Sequence, residues 1–239
     1  TMTMAPLVVG DHVFVGNSGG EFGVRGWLTA LSAADGSIVW RAYSTGPDRD
    51  VLIGASFQPF YPSERGSDLG VTSWPPEKWQ QGGGTVWGFL SYDPELDLIY
   101  HGTGNPGPWN PDQRPGDNKW TCGVFARAPA TGQARWFYQW NPHDHFDYDG
   151  INENILTELD IGGLRRRVLL NAGRTGYVYV LDRATGEVLS ATPFAHVTSS
   201  DGVDLKTGRI RSAPDKQGSP GTVVQKICPA SPGAKDWQP

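Results

Sequence analysis

The sequence predicts an all-β protein, and three observations lead to this expectation. Short runs of β-branched and aromatic residues recur between turn-forming residues, and no long segment has helical periodicity. Glycine and proline are abundant, with 32 and 19 copies in 239 residues, which is typical of a chain with many turns. Among the 10 tryptophans, Trp40 and Trp136 follow the same kind of turn, which indicates a structural repeat.

The strands of the N-terminal half can be assigned in order from these runs. A turn at Gly10 separates the first two runs and predicts a hairpin. A second hairpin is predicted around Pro94, between two runs that each contain a tyrosine. The predicted strands are, in order, 7–9, 13–15, 27–31, 38–40, 89–92 and 98–100.

One turn recurs with the same residue types. Each copy has a glycine preceded by Asp or Thr. Glycine tolerates the positive φ of a tight turn, and the preceding side chain can bond the turn backbone. The copies lie at 34–37, 130–133, 184–187 and 206–209.

Repeats of this kind predict part of a β-propeller with four-stranded antiparallel blades, in which Trp40 and Trp136 each dock one blade on the next. Three insertions, at 43–84, 102–120 and 140–154, separate some of the strands. At about 45 residues per blade the chain would hold roughly five blades. We expect residues 1–239 to form one partial propeller domain with blades missing at both ends. A β-sandwich with incidental turns is the alternative.

Charge and hydropathy exclude some functional classes. The net charge of -5 and the pI near 5.5 argue against nucleic-acid binding. No apolar run is long enough for a membrane span. The two cysteines do not make a disulfide framework: Cys122 is interpreted as a buried thiol, and Cys228 lies in a loop-like tail without an evident partner.

Residues 143–149 concentrate two histidines and three carboxylates. Asp147 and Asp149 are two positions apart, so both side chains can face one site on an extended segment. Such a pair can bind a hard cation, share a proton or lie solvated in a loop. The surrounding sequence favours a cation, with one carboxylate also serving as a base. His143, His145 and Asp144 have the residue types of transition-metal ligands, but we favour a structural role for them.

Two glycine-rich segments are weak signals when taken singly. Ser18 fits the hydrolase elbow G-x-S-x-G. That motif requires a helix directly after the serine, whereas the residues after Ser18 are poor helix formers. The segment 82–85 lacks the lysine of a phosphate-binding loop. Trp87, considered alone, is more typical of a core residue than of a cofactor platform.

Together, five motifs in order resemble the quinoprotein alcohol dehydrogenases, the methanol/ethanol dehydrogenase family that depends on pyrroloquinoline quinone (PQQ). The resemblance covers essentially the whole chain and implies an eight-bladed propeller, of which this chain is an internal portion. The motifs lie at 16–26, 82–88, 102–106, 114–120 and 142–150.

The resemblance implies a metal site beside the quinone. Glu21, Asn105 and Asp147 match the metal ligands, and Asp147 also matches the catalytic base. Asp149 matches an extra carboxylate of the lanthanide-dependent branch. Side-chain chemistry agrees, because hard cations take oxygen ligands and a third carboxylate suits a trivalent ion better than calcium, which is the alternative.

The resemblance also implies the cofactor contacts. Trp87 would stack under the quinone rings, and Arg174 would lie near the quinone oxygens. The residues matched to cofactor contacts are Ser18, Gly19, Gly20, Thr85, Trp87, Arg174, Asp236 and Trp237.

The function that this resemblance implies is oxidation of a primary alcohol, methanol or similar, to the aldehyde by hydride transfer to metal-activated PQQ. It further implies a periplasmic enzyme with a cytochrome c electron acceptor, and it is compatible with a homodimer. Two alternatives stay open at this point: a non-catalytic propeller that serves as a binding scaffold, and an inactive fragment of the enzyme.

Overall fold

The chain forms three four-stranded antiparallel sheets and one two-stranded sheet in a computed structural model that describes residues 2–236. Each four-stranded sheet is a meander in which consecutive strands pair. The first sheet contains β1 (Leu7–Val9), β2 (His12–Gly16), β3 (Trp27–Ser32) and β4 (Ile38–Tyr43). The second contains β5 (Leu90–Asp93), β6 (Leu98–Thr103), β7 (Gly123–Arg127) and β8 (Ala134–Gln139). The third contains β9 (Ile155–Ile161), β10 (Leu164–Ala172), β11 (Tyr177–Asp182) and β12 (Val188–Pro193), and β13 (Ser200–Asp204) pairs with β14 (Arg209–Ser212).

The connections between sheets contain short helices. Two α-helices, α1 (Asp48–Val51) and α2 (Leu69–Thr72), lie between the first and second sheets. Single 3-10 turns occur at Gly20–Phe22, Pro62–Glu64, Lys78–Gln81, Pro111–Gln113 and Pro214–Lys216.

The predicted all-β class and the predicted hairpins are confirmed, with strand ends that differ by a few residues. The expectation of roughly five blades was wrong, because 44–89 contains no strand and therefore contributes no blade. The four turn glycines all have positive φ, between 71° and 78°, as the recurring turn requires; they are Gly36, Gly132, Gly186 and Gly208.

The hydrophobic core lies between the sheets. One buried cluster joins the second and third sheets through Tyr138, Trp140 and Tyr179. Another joins the first and second sheets through Phe14 and Ile99. The second sheet is therefore covered on both faces, and every residue of β6 and β7 is buried.

A tryptophan closes each of the first two joints between sheets. Trp40 donates from Nε1 to the Pro129 carbonyl at 2.8 Å, and a Cβ added at Gly132 would meet its indole at 2.7 Å. Trp136 repeats this arrangement one sheet further on, with the Arg183 carbonyl at 3.2 Å and Gly186 under the ring. The predicted docking role of both tryptophans is confirmed.

The third joint uses a tyrosine from an insertion. Ser190 occupies the strand position that holds tryptophan in the first two copies. Tyr61, which belongs to the 44–89 connection, replaces the docking tryptophan at this joint. Its ring lies over Gly208, and its hydroxyl lies 3.2 Å from the Leu205 carbonyl. In all three joints the accepting carbonyl belongs to the residue three before the turn glycine. The Tyr61 hydroxyl also accepts from the Val188 amide at 3.0 Å.

The topology places the candidate site residues at one end of the sheets. Glu21, Asn105 and Arg174 each follow the second strand of their sheet, namely β2, β6 and β10. Asp147 and Asp149 lie in the connection from the last strand of one sheet to the first strand of the next. In an antiparallel meander the second and fourth strands run in the same direction, so their C-terminal ends lie at the same end of the sheet.

Within residues 2–236 no helix is long and apolar enough to cross a membrane. In the same part of the chain Cys122 is a free, buried thiol, as expected, and Cys228 is free and half-buried. Burial raises the pKa of the Cys122 thiol well above its usual range.

Replacing Tyr61 is expected to test the third joint. Tyr61→Ala removes a fully buried ring and should lower the free energy of unfolding by about 3–5 kcal/mol. Tyr61→Phe should lower it by about 1–3 kcal/mol, because the Val188 amide loses its acceptor. Chemical denaturation of the complete protein measures both changes.

The matched control is Tyr92→Phe, which removes an exposed hydroxyl that bonds Asp97. If Tyr61→Phe and Tyr92→Phe had the same small effect, the hydroxyl of Tyr61 would not hold the joint.

Candidate active site

Three chain segments run side by side at the site and are joined by their backbones. The glycine-rich segment 82–86 lies in the middle. On one side Gly26 donates to the Gly83 carbonyl at 2.6 Å, and on the other Gly84 donates to the Asn105 carbonyl at 2.9 Å. A Cβ at Gly83 would meet the Asn105 carbonyl at 2.6 Å, so this close approach requires glycine.

The loop that carries Glu21 is closed by a buried asparagine. Asn17 donates from Nδ2 to the Arg25 carbonyl at 3.1 Å and accepts from the Trp27 amide at 2.8 Å. Both ends of the loop are thereby tied together, and Glu21 lies on the 3-10 turn between them. The Glu21 side chain is exposed.

Asp147 and Asp149 share one arginine. Arg174 Nη1 lies 3.0 Å from the Asp149 carboxylate and 3.5 Å from that of Asp147, and it also donates to the Asp147 carbonyl at 2.6 Å. The side chains of Arg174 and Asp149 are only 7% and 6% exposed, so these charges interact in a largely dry environment. The two carboxylates therefore face one site, as predicted, but the extended segment on which this prediction relied was wrong, because Asp147 has φ of 65°.

Asn105 completes this group from the neighbouring loop. Its backbone amide donates to Asp149 Oδ1 at 2.7 Å. In the amide orientation that satisfies both side-chain groups, Nδ2 donates to Asp149 at 3.2 Å and Oδ1 accepts from Trp109 Nε1 at 2.8 Å. A carbonyl oxygen has two lone pairs, so one remains for a further ligand.

The site has more negative charge than its arginine balances. Burial, followed by repulsion from Asp149, raises the pKa of Asp147 to about 8. Burial raises the pKa of Asp149 to about 7 despite the attraction of Arg174. The carboxylate of Glu21 is close enough to contribute to both increases. Paired buried carboxylates of this kind are stabilised in the ionised form by a bound cation.

The candidate metal ligands are not all equally close. Among the described residues, no group of three or more His, Cys, Asp or Glu side chains is arranged to hold a metal ion. Glu21 therefore does not join Asp147 and Asp149 in a cluster of three carboxylates. The side-chain amide of Asn105 lies beside the pair, with Nδ2 toward Asp149, and turned about χ2 it would present its oxygen to a bound ion. Carboxylate and amide oxygens are the donors that hard cations bind. This donor set fits a hard cation.

Thr85 connects the Glu21 loop to the Asp149 carboxylate. A Cβ at Gly20 would lie 3.5 Å from Thr85 Oγ1, and one at Gly104 would lie 3.3 Å from the same atom. The Cβ added at Gly104 would in turn lie 2.7 Å from Asp149 Oδ1. Gly20 and Thr85 therefore lie near the Asp149 carboxylate, and their contact with a cofactor stays a prediction.

Trp87 lines a separate, mainly apolar cavity of about 520 Å³. The N-terminal residues Thr3 and Met4 form another wall of this cavity, and sequence analysis did not single them out. None of the other residues matched to the cofactor or the metal lines this cavity, so the stacking role of Trp87 stays a prediction.

Asp236 is connected to the site by its ion pair with Arg174. Its Oδ1 accepts from Arg174 Nη2 at 2.7 Å and Nε at 3.2 Å, so it holds the guanidinium in a fixed orientation. Asp149, Asp236 and Asp147 outweigh the effect of burial and keep the pKa of Arg174 above its usual range. Trp237, the neighbouring cofactor candidate, lies outside the described residues. Ser18 and Gly19 lie in the Glu21 loop, partly buried.

A second cavity, of about 430 Å³, has Asn105 and Asp147 in its lining. The aromatic side chains of Trp109 and Phe146 contribute to its wall. A cavity with apolar walls and a carboxylate on its lining can hold a small molecule that carries a polar group.

His143 and His145 have structural contacts. Their rings pack edge to face at 4.7 Å, and each Nδ1 bonds a backbone carbonyl, that of Gly116 at 2.9 Å and of Gly218 at 3.0 Å. These contacts tie distant loops to the 143–149 segment, which agrees with the structural role favoured from the sequence.

Sequence reasoning gave no site role to Asp144, Arg114 or Trp109, although all three lie next to the candidate ligands. One local signal was available for Asp144. An aspartate followed by a tight turn typically accepts hydrogen bonds from amides two and three residues later. Trp109 and Arg114 carry no such signal, because their partners depend on the path of the long 102–120 insertion.

Comparison with known proteins places these features in a family. The profile of the glucose/ethanol/alcohol dehydrogenase β-propeller domain, a PQQ domain, matches residues 1–207. The lanthanide-dependent methanol dehydrogenase of Methylacidiphilum fumariolicum (strain SolV) is 50% identical over 240 residues, which cover 100% of this chain and 39% of that protein. The lanthanide-dependent methanol dehydrogenase of Methylorubrum extorquens is 45% identical over 248 residues, covering 100% of this chain and 41% of that protein.

The structure gives the same result. A solved europium-containing methanol dehydrogenase superposes with a TM-score of 0.97 at 49% identity, over 100% of this chain and 42% of that one. The chain thus spans about 40% of the length of these relatives, and the fold is that of a portion of their propeller. By the profile match over residues 1–207 and these identities, the chain belongs to the PQQ-dependent dehydrogenase family.

Proposed function

We propose that the complete protein oxidises a primary alcohol to the aldehyde with PQQ and a lanthanide ion bound at this site. The observation that carries the proposal is that three separate connections meet at Asp149: one contributes Asn105, one contributes Asp147 and Asp149, and one contributes Arg174. The names of similar proteins point the same way, because two are lanthanide-dependent methanol dehydrogenases and one solved structure contains europium.

The residues divide into two groups in this proposal. Glu21, Asn105, Asp147 and Asp149 would hold the metal ion. The residues that would contact the quinone are Ser18, Gly19, Gly20, Thr85, Trp87, Arg174, Asp236 and Trp237.

The chain's own residues would orient the alcohol and move its proton. When bound, the quinone supplies the hydride acceptor and the ion acts as its Lewis acid. One carboxylate oxygen of Asp147 accepts the hydroxyl proton of the alcohol, which lies in the cavity beside Phe146 and Trp109. Arg174, oriented by Asp236, stabilises negative charge that develops next to it.

The choice of a trivalent ion rests on Asp149. This carboxylate is buried, it repels Asp147, and one arginine is its main compensation. A higher cation charge offsets this repulsion better than a divalent ion does. Calcium is the alternative ion.

The proposal extends to the surroundings of the enzyme. A relative from Methylorubrum extorquens, 46% identical over 235 residues, is named methanol dehydrogenase [cytochrome c] subunit 1, which supports a cytochrome c as the electron acceptor. That protein is also longer, since the match covers 38% of it. A periplasmic location and a homodimer are part of the proposal on the family resemblance alone.

Activity of the complete protein tests the proposal directly. Reconstituted with PQQ and lanthanum, it should reduce an artificial electron acceptor when methanol or ethanol is added. Asp147→Asn should lower kcat by roughly 10²–10⁴-fold, because the general base is lost. The control is Asp160→Asn, on β9, whose side chain is 71% exposed and pairs with Arg165. Absence of alcohol-dependent turnover in the wild type would refute the enzymatic assignment.

Metal preference is tested by Asp149→Ala in the complete protein. Removal of one buried negative charge should weaken lanthanum binding by at least roughly tenfold more than calcium binding, because ligand charge sets affinity for hard cations. Isothermal titration with each ion measures the ratio. Asp215→Ala, at an exposed aspartate, serves as control. An unchanged ratio would remove the lanthanide assignment and leave the enzyme class intact.

The raised pKa of Asp149 predicts a pH dependence for the cation-free protein. Between its ordinary value of 3.8 and about 7, the folded state binds a proton that the unfolded state has released. The contribution of Asp149 to stability is therefore most favourable at low pH and falls as pH rises through this window. Asp149→Asn should raise the melting temperature relative to wild type more at pH 8 than at pH 5. If the difference in melting temperature between variant and wild type did not change with pH, the raised pKa of Asp149 would be contradicted. Asp160→Asn is the control.

A further inference from the structure

The Asp144 carboxylate binds three successive backbone amides. Oδ2 accepts from the amide of Asp147 at 2.8 Å, and Oδ1 accepts from that of Phe146 at 3.2 Å. The amide of Tyr148 lies 3.3 Å from both oxygens. Asn141 Nδ2 adds a further bond at 2.5 Å, and the Asp144 side chain is almost fully buried. Three convergent amides form an anion-binding nest, which here is filled by the chain's own carboxylate.

This nest holds Asp147 in an uncommon backbone conformation. Asp147 has φ of 65°, a region that residues other than glycine rarely adopt. In that conformation its carbonyl accepts from Arg174 and its carboxylate lies beside the same guanidinium. Without the Asp144 carboxylate, the amides of 146–148 would lose the acceptor that favours this turn.

Arg114 connects the same nest to Asn105. The guanidinium is buried and donates to the carbonyls of Pro108 at 2.6 Å, Trp109 at 3.1 Å and Asp144 at 2.5 Å. It thereby fixes the segment in which the Trp109 indole bonds the Asn105 amide. Each buried charge is thus bound chiefly by backbone groups, Asp144 by amides and Arg114 by carbonyls.

We infer that Asp144 and Arg114 are a pair of positioning residues that set the geometry of the cation site. Asp144 holds the backbone turn that positions the carboxylate of Asp147. Arg114 holds the Trp109 segment that orients the side chain of Asn105. Neither residue contacts the ion itself. The inference rests on the proposed function, because it assigns Asp147 and Asn105 as ligands.

Terbium luminescence in the complete protein tests this role without relying on enzyme activity. Asp144→Asn keeps the size of the side chain but replaces one acceptor oxygen by a donor. We expect the affinity for terbium to fall by about 10–100-fold, as is typical when a group that orients metal ligands is removed. Luminescence lifetimes in H₂O and D₂O should show at least one additional water on the ion, because Asp147 no longer holds its place.

The matched control is Asp112→Asn, an exposed aspartate of the same insertion as Arg114. It should change neither affinity nor hydration. Unchanged affinity and hydration in a folded Asp144→Asn variant would overturn the inference. If that variant does not fold, Asn141→Ala removes one bond to Asp144 and should give a smaller shift in the same two measurements; no shift would again overturn it.

A wild-type protein that binds no terbium would refute the proposed cation site. In that case hydrogen exchange of residues 144–149 in the cation-free protein separates the two claims. Faster exchange at the amides of 146–148 in Asp144→Asn than in Asp112→Asn would support the positioning of the loop by Asp144. Equal exchange in the two variants would overturn it.

Discussion

The stacking of an aromatic ring on a turn glycine is the contact on which the rest of this structure depends. Trp40, Trp136 and Tyr61 each cover such a glycine and bond a carbonyl of the neighbouring turn. These joints fix one sheet relative to the next, and the candidate ligands come from connections that belong to different sheets. An error in the docking of the sheets would therefore separate Asn105 from Arg174, even if each loop kept its own shape.

Local features of the fold could be predicted because their causes are local. A glycine with positive φ and the strands beside it can be recognised within a dozen residues, and these elements were confirmed. The third joint could not be predicted, because Tyr61 lies in an insertion without periodicity and its partners Val188 and Leu205 follow 127 and 144 residues later. The predicted number of blades was wrong for a related reason, because the length of a segment does not show whether it forms strands.

The candidate site, too, could be predicted only in part from the sequence. Side-chain chemistry alone indicated that Asp147 and Asp149 share a site, but left open whether they bind a cation, share a proton or are solvated. The family resemblance added Asn105 and Arg174, and the structure brings each of them into contact with Asp149. The groups that arrange them act through backbone amides and carbonyls, so Arg114 carried no signal of its role and Asp144 carried only the local one of an aspartate before a tight turn.

The tyrosine joint also has a consequence for synthesis on the ribosome. The contact of Trp40 with Pro129 spans 89 residues, so the first two sheets can dock while the third is still being translated. Tyr61 can pack against Tyr138 by then, with ring centroids 5.9 Å apart, but its turn glycine is absent until residue 208 has left the exit tunnel. The third joint is therefore the last of the three to be completed during translation, although the residue that closes it is made before either of its two hydrogen-bonding partners.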